Sequence, residues 1–175
     1  MANNLLKGKR GIIFGALDEN SIAWKTAEQV HAEGGKFVLT NAPIAMRMGK
    51  INELAAQTGS EIIPADATSV EDLENLISKS VEILGGPLDF ILHSIGMSPN
   101  VRKGKEYGDL DYQWMLKTMD VSAISFHKVM QVAEKQDAMN EWGSIMALSY
   151  IAAQRTFPGY SDMALGLARM FGITL

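Results

Sequence analysis

Apolar and polar positions along this chain follow two rhythms. Short apolar runs suit buried strands, and longer stretches bring an apolar residue back every three or four positions, as on a helix with one covered face. Ile12, Ile13 and Phe14 form the first run. Gly15 ends it, and Ile22, Ala23, Ala27 and Val30 then recur at helical spacing up to Gly34 and Gly35, with Asn20 and Ser21 as candidate N-caps. The alternation continues with a second strand over 36–41 (KFVLTN), a helix over 45–58 through Met48, Ile51, Leu54 and Ala55, and a short third strand over 61–66 (EIIPAD). The clearest helix covers 69–84: Ser69-x-x-Asp72 reads as a capping box, and Leu73, Leu76, Ile77, Val81 and Leu84 share one face. A nearly all-apolar run at 88–95 (LDFILHSI) predicts a strand buried on both faces. The polar segment 100–111 reads as a solvated loop and 112–140 as a long helix, with Met115, Met119, Val121, Phe126, Val129, Met130 and Val132 as its apolar positions. A fifth buried strand is expected at 143–149 (GSIMALS). Strands alternating with helices predict one doubly wound α/β domain over 1–175, with a parallel sheet opening in the order 3-2-1-4-5.

Composition narrows the function without naming it. With 175 residues, 47% hydrophobic and 21% charged, the chain can bury one well-formed core. A net charge of -4 and no polybasic face give no electrostatic reason to bind nucleic acid or an anionic membrane. The first residues, MANNLLKGKR, carry no apolar signal core, and no run approaches the roughly 18 apolar residues of a membrane span. The expectation is an unexported, cytoplasmic chain. The absence of cysteine from the sequence excludes disulfides, thiolate catalysis and cysteine-ligated metals, and no metal site is expected.

Candidate chemistry gathers where strands end. A helix that begins as a strand stops aims unpaired N–H groups and the positive end of its dipole at one point, which suits a pyrophosphate. An ordinary βα turn would look similar, and the second and third glycines of G-x-G-x-x-G are missing, since Gly15 is followed by ALDEN and Ser21-Ile22-Ala23. Asp66 falls where a doubly wound sheet presents loop residues to a nucleotide base, and equally where a helix starts. Ser94-Ile95-Gly96 turns at a strand's carboxyl end, where open sheets place ligands. His93, alone on a buried strand, reads as a hydrogen-bonded core residue rather than a catalyst. Arg102, Lys103 and Lys105 could meet an acidic carrier protein or simply be solvated. Tyr150 ends the fifth strand and Tyr160 follows ten residues later in FPGYSDMA. A phenol can hydrogen-bond a developing enolate and donate a proton, given a cation that lowers its pKa; both tyrosines also fit amphipathic packing.

Taken together, GIIFGALDENSIAW, EIIPADATSVEDLE, DFILHSIGMSPNVRK, DVSAISFHK and LSYIAAQRTFPGYSDMA resemble the enoyl-[acyl-carrier-protein] reductases of bacterial fatty acid synthesis. These are a divergent branch of the short-chain dehydrogenase/reductases, and the likeness is greatest to Bacteroidetes-type members. The resemblance implies reduction of a trans-2-enoyl thioester on acyl carrier protein by NADH, or by NADPH. Asn41 and Ala42 follow the second strand without the acidic or basic residue that would choose between them. By the same resemblance Gly15, Ser21 and Ile22 contact the pyrophosphate, Asp66 and Ala67 the adenine, Ile95 the nicotinamide-side ribose and Ser98 the substrate. Tyr160 would stabilise the enolate, and Tyr150 would position the thioester or relay a proton. Relatives assemble as homotetramers through the helices near 112–140 and after Tyr160.

The match also breaks. The family's lysine, seven residues after its second tyrosine, is here Leu167; no lysine follows Lys135, and Arg169 falls on the opposite side of the helix from Tyr160. ALGLARMFG reads as the family's helix shortened after Ala164, and two further strands and a substrate-covering loop are expected to be absent, leaving the fifth strand a sheet edge. Two other readings therefore stand beside the first. One is a 3-oxoacyl or alcohol reductase using Ser149 and Tyr160. The other is a nucleotide-binding or oligomer-forming remnant without catalysis.

Overall fold

The computed structural model describes residues 3–155, 158–160 and 162–163. Four parallel strands, β1 (Arg10–Phe14), β2 (Lys36–Thr40), β3 (Leu88–His93) and β4 (Met139–Ala147), make a sheet ordered β2-β1-β3-β4. The third strand expected at 61–66 shrinks to a single parallel bridge, Ile62 opposite Leu39. Leu39 donates its N–H to the Glu61 carbonyl, while Ile63 and Ala65 donate to Leu39 and Asn41. Pro64 has no N–H to offer a further strand, which suits an edge. With this segment counted outside β2, the order is the expected 3-2-1-4-5.

Helices cover both faces because successive strand residues point to opposite sides. On one face Ile13, Leu39 and Leu92 pack with Ala23, Trp24, Ala27 and Val30 of α1 (Ile22–Ala32). The single turn α2 (Pro43–Met46) leads on to α3 (Ile51–Thr58), which adds Ile51 and Leu54 to that face. On the other face Ile12, Phe14, Val38 and Ile91 meet α4 (Val70–Leu84) through Leu73, Leu76 and Ile77. The same face receives Val129, Val132 and Ala133 of a later helix. Two covered faces explain why β1 and β3 read as continuous apolar runs.

The α4 capping box forms as expected: Ser69 Oγ accepts the Asp72 N–H at 3.2 Å, and Gly85, at φ 76°, ends the helix in the left-handed region. Leu73, Leu76 and Ile77 are all fully buried. At roughly 2 kcal/mol per buried side chain, this stripe outweighs the cap.

Three expected elements take a different form. The helix over 45–58 splits into α2 and α3 at Gly49, where a Cβ would press on the Leu17 carbonyl; the next residue, Lys50, donates its N–H to that same oxygen at 2.8 Å. The loop over 100–111 is not simply solvated. It holds the short α5 (Pro99–Arg102) and a 3-10 turn (Tyr107–Asp109), and Asn100 is fully buried, with its amide bonded to both the N–H and the carbonyl of Asp111 at 3.0 Å. The long helix is interrupted. α6 (Tyr112–Met119) passes through a π-helical turn (Asp120–Ile124) into α7 (Ser125–Lys135), and Asp137, at φ 49°, then turns the chain into β4. No described helix is long and apolar enough to cross a membrane.

Ser69→Ala removes a side-chain acceptor from the first turn of α4. It is expected to lower stability by about 1 kcal/mol, read as a lower urea midpoint with an unchanged m value.

Candidate active site

The strands β1 and β3 meet at their carboxyl ends with no room for a side chain. Gly15 has φ 87°, and a Cβ there would overlap the Ser94 carbonyl oxygen. Its N–H donates to Thr40 O at 3.0 Å, so the ends of β2, β1 and β3 are tied together. Ser21 holds the N-cap position of α1, as expected, but its hydroxyl does not cap the helix. It accepts the Leu17 N–H at 3.3 Å and donates to Asp18 O at 2.7 Å, closing the loop instead; Asp18 Oδ1 in turn accepts the Asn20 N–H. The first-turn N–H groups of α1 therefore receive no side-chain cap, and Ile22 beside them is 65% exposed. Thr40 Oγ1, fully buried at the end of β2, has no hydrogen-bond partner among the described residues. A glycine cradle, an uncapped helix start and an orphaned hydroxyl fit a phosphate-bearing ligand.

Asp66 and Ala67 lie on the adjoining turn before α4. Asp66 is exposed; its Oδ1 accepts from the N–H and hydroxyl of Thr68, and its own N–H donates to Asp72 Oδ2. Ala67 is buried against the core. Lys128 of α7, which sequence reasoning passed over, donates to Thr68 O at 2.7 Å and to Asp120 Oδ1 at 2.9 Å. One ammonium thus fastens this turn to the π-helical turn.

The third component is the turn after β3. Ile95 is half-buried against the core. Met97 is held on both sides by Ser122, whose hydroxyl accepts its N–H at 3.0 Å and contacts its carbonyl at 3.1 Å. Ser98 is 2% exposed, caps α5 by accepting the Val101 N–H, and donates to the Asp162 carboxylate at 2.8 Å. Its hydroxyl is engaged within the protein, by Asp162 and the Val101 N–H. Tyr150 reaches back over this turn, its hydroxyl 2.8 Å from where a Cβ on Gly96 would stand. Tyr150 and Tyr160 remain 43% and 41% exposed. Burial first, and the nearby Tyr160 phenol second, hold the Tyr150 pKa above the ordinary phenol value. No cation among the described residues opposes that shift, so burial favours the protonated phenol.

His93 is a core residue, as its setting on a buried strand predicted. It is 1% exposed, lies between Phe14 and Phe126, and its Nε2 sits 2.8 Å from Ser125 Oγ. Ser125 Oγ also lies 2.7 Å from Val121 O, so one hydroxyl links the ring to the backbone of the π-helical turn. Sequence reasoning missed Asn100, Thr118 and Asp162, which no local pattern marks. Leu167, Arg169 and the shortening after Ala164 lie outside the described residues.

The model of the family described as enoyl-(acyl carrier protein) reductase matches residues 15–173. The chain belongs to that family. A crystal structure of FabI from Alistipes finegoldii is 63% identical with a TM-score of 0.94, covering 98% of this chain and 66% of that one. A FabI–NADH complex from the same organism is 64% identical at TM-score 0.94, over 97% of this chain and 60% of that one. The enoyl-[acyl-carrier-protein] reductase [NADH] 1 of Rhizobium meliloti (strain 1021) is 31% identical over 97% of this chain. The chain spans 62% and 61% of the lengths of the two Rhizobium reductases it matches.

Burial depresses the His93 pKa from 6.5 to about 4. Between those values the unfolded chain binds a proton that the folded chain refuses, so stability falls as pH drops through that window. The cost is about 3 kcal/mol at and below pH 4. Chemical denaturation of a His93→Phe variant from pH 7 to pH 4 is expected to show a shallower loss of stability than the parent.

Proposed function

We propose that this chain carries the cofactor-binding and reducing site of an NADH-dependent trans-2-enoyl-[acyl-carrier-protein] reductase of fatty acid biosynthesis. The observation that carries the reading is the convergence of two half-exposed phenols, Tyr150 and Tyr160, at the end of the sheet that also holds the Gly15 cradle. The names of the relatives support NADH and the enoyl thioester. In this reading the backbone at Gly15, Ser21 and Ile22 holds the pyrophosphate, the turn at Asp66 and Ala67 receives the adenine, and Ile95 lines the ribose on the nicotinamide side. NADH, when bound, supplies the hydride that reaches the β-carbon of the thioester. Tyr160 donates a hydrogen bond to the thioester oxygen as negative charge collects there, and is worth most where water is excluded. Tyr150, kept protonated, orients the thioester or passes on a proton.

The further parts of the reading follow from it. The chain acts as one dinucleotide-binding domain in the cytoplasm, its partner is acyl carrier protein, and it assembles as a homotetramer. Tyr112, Leu116 and Ile124 stand exposed along α6 and the π-helical turn, a run that a neighbouring subunit would cover. A second reading, nucleotide binding without turnover, is favoured by Leu167 at the family's lysine position.

Fluorescence titration with NADH, followed by cofactor oxidation with crotonyl- and acetoacetyl-acyl carrier protein, separates the possibilities. The expected result is binding, and turnover of the crotonyl thioester alone, with Tyr160→Phe lowering kcat by roughly 100-fold. Preference for the acetoacetyl thioester would overturn the enoyl assignment. Binding with no turnover of either would select the second reading.

A further inference from the structure

A buried carboxylate is costly unless its surroundings supply donors. Asp162 is 1% exposed, and its donors come from two places in the fold, α5 with its N-cap and α6. Ser98 Oγ lies 2.8 and 3.0 Å from its two oxygens, Asn100 Nδ2 donates to Oδ2 at 3.0 Å, and Thr118 Oγ1 lies 3.0 Å from the same oxygen. The single Thr118 hydroxyl hydrogen is shared with the Trp114 carbonyl at 2.9 Å. An acceptor-only group is what this nest of donors requires. An asparagine in its place keeps one acceptor oxygen for Asn100 and Thr118, and loses the charge and the second acceptor, turning its NH2 toward Ser98 Oγ.

The nest joins the two phenols. Asp162 stands two residues after Tyr160, and Ser98 stands two residues after Gly96, the glycine under the Tyr150 hydroxyl. Met163, 6% exposed, brings its Cε to 3.6 Å from the same Gly96 Cβ position. Both tyrosine-bearing segments are thereby referred to one turn, itself braced by Ser122. We propose that Asp162 is a positioning residue: by clamping its own segment onto Ser98, Asn100 and Thr118, it sets where Tyr160 stands relative to Tyr150. The inference rests on the reading of these phenols as the reductase's reacting groups. It also gives Ser98 a part at the site, through Asp162 rather than through substrate.

The test compares Asp162→Asn, Thr118→Val and Thr118→Ser in the same chain, observed through isotope-labelled tyrosine Cζ resonances assigned with Tyr150→Phe and Tyr160→Phe. Asp162→Asn is expected to move both resonances and to bring the Tyr150 titration down toward the ordinary phenol value. Thr118→Val should move them the same way by less, and Thr118→Ser, which keeps the hydroxyl, should restore the parent spectrum. Where the chain turns over, kcat should fall roughly 10- to 100-fold in Asp162→Asn with the KM for NADH unchanged. Unchanged tyrosine resonances in a folded Asp162→Asn variant overturn the proposal, whether or not the parent is active. Absence of turnover in the parent counts against the reductase reading alone, because the spectra still judge the clamp. Should Asp162→Asn fail to fold, Thr118→Val is judged by the same resonances, and no shift there overturns the proposal equally.

Discussion

At the carboxyl ends of β1 and β3 two backbones approach until no Cβ fits between them, and the layout of the site follows from that contact. Gly15 answers it twice, with a left-handed φ and with the absence of a side chain against the Ser94 carbonyl. Because Gly15 also donates to Thr40, the three strand ends are fixed to one another before any ligand arrives. The loop that follows can then be shaped by its own short bonds, Ser21 to Leu17 and Asp18, leaving the start of α1 uncapped and open to negative charge. Spending the serine on the loop rather than on the helix keeps those N–H groups available.

On the far side of the same contact, the turn after β3 serves as a platform with separate supports. Ser122 grips Met97, Ser98 grips Asp162, and the Tyr150 hydroxyl rests on Gly96. The supports come from the π-helical turn, the segment after Tyr160 and the residue group after β4, and Thr118 of α6 also meets Asp162 directly. Polar groups buried in such a place are fully engaged or destabilising, with little between. Asn100, Thr118 and Asp162 each find a partner.

What the amino-acid order disclosed was governed by periodicity. The α4 stripe and its cap were legible because a helix face and a capping box are local patterns, and the strand order followed from strict alternation of strands and helices. The tyrosines and the Gly15 turn were legible as candidates because strand ends are where such sheets gather ligands. Pairings across long separations were not. Ser98 and Asp162 are 64 residues apart, and nothing local to either reveals that their side chains meet. The apolar spacing through 112–140 reads as one continuous helix, since an added residue in the ladder changes the phase without changing the composition. Ser21 shows a further limit: its position as N-cap was readable, but the competing acceptor at Asp18 that takes its hydroxyl was not.

The helical run from Tyr112 to Lys135 carries a permanent dislocation at Asp120–Ile124. A π-helical turn accommodates a residue beyond the regular count, and each residue rotates a helix by roughly 100°. Contacts before the turn, such as Thr118 to Asp162, and contacts after it, such as Ser125 to His93 and Lys128 to Thr68, are thus set in two different phases. Straightening the run by removing one residue would improve its backbone ladder and still misalign one of the two sets. Chain length across this turn is therefore a constrained quantity in its own right, and insertions or deletions of one residue there belong with core substitutions rather than with loop variation.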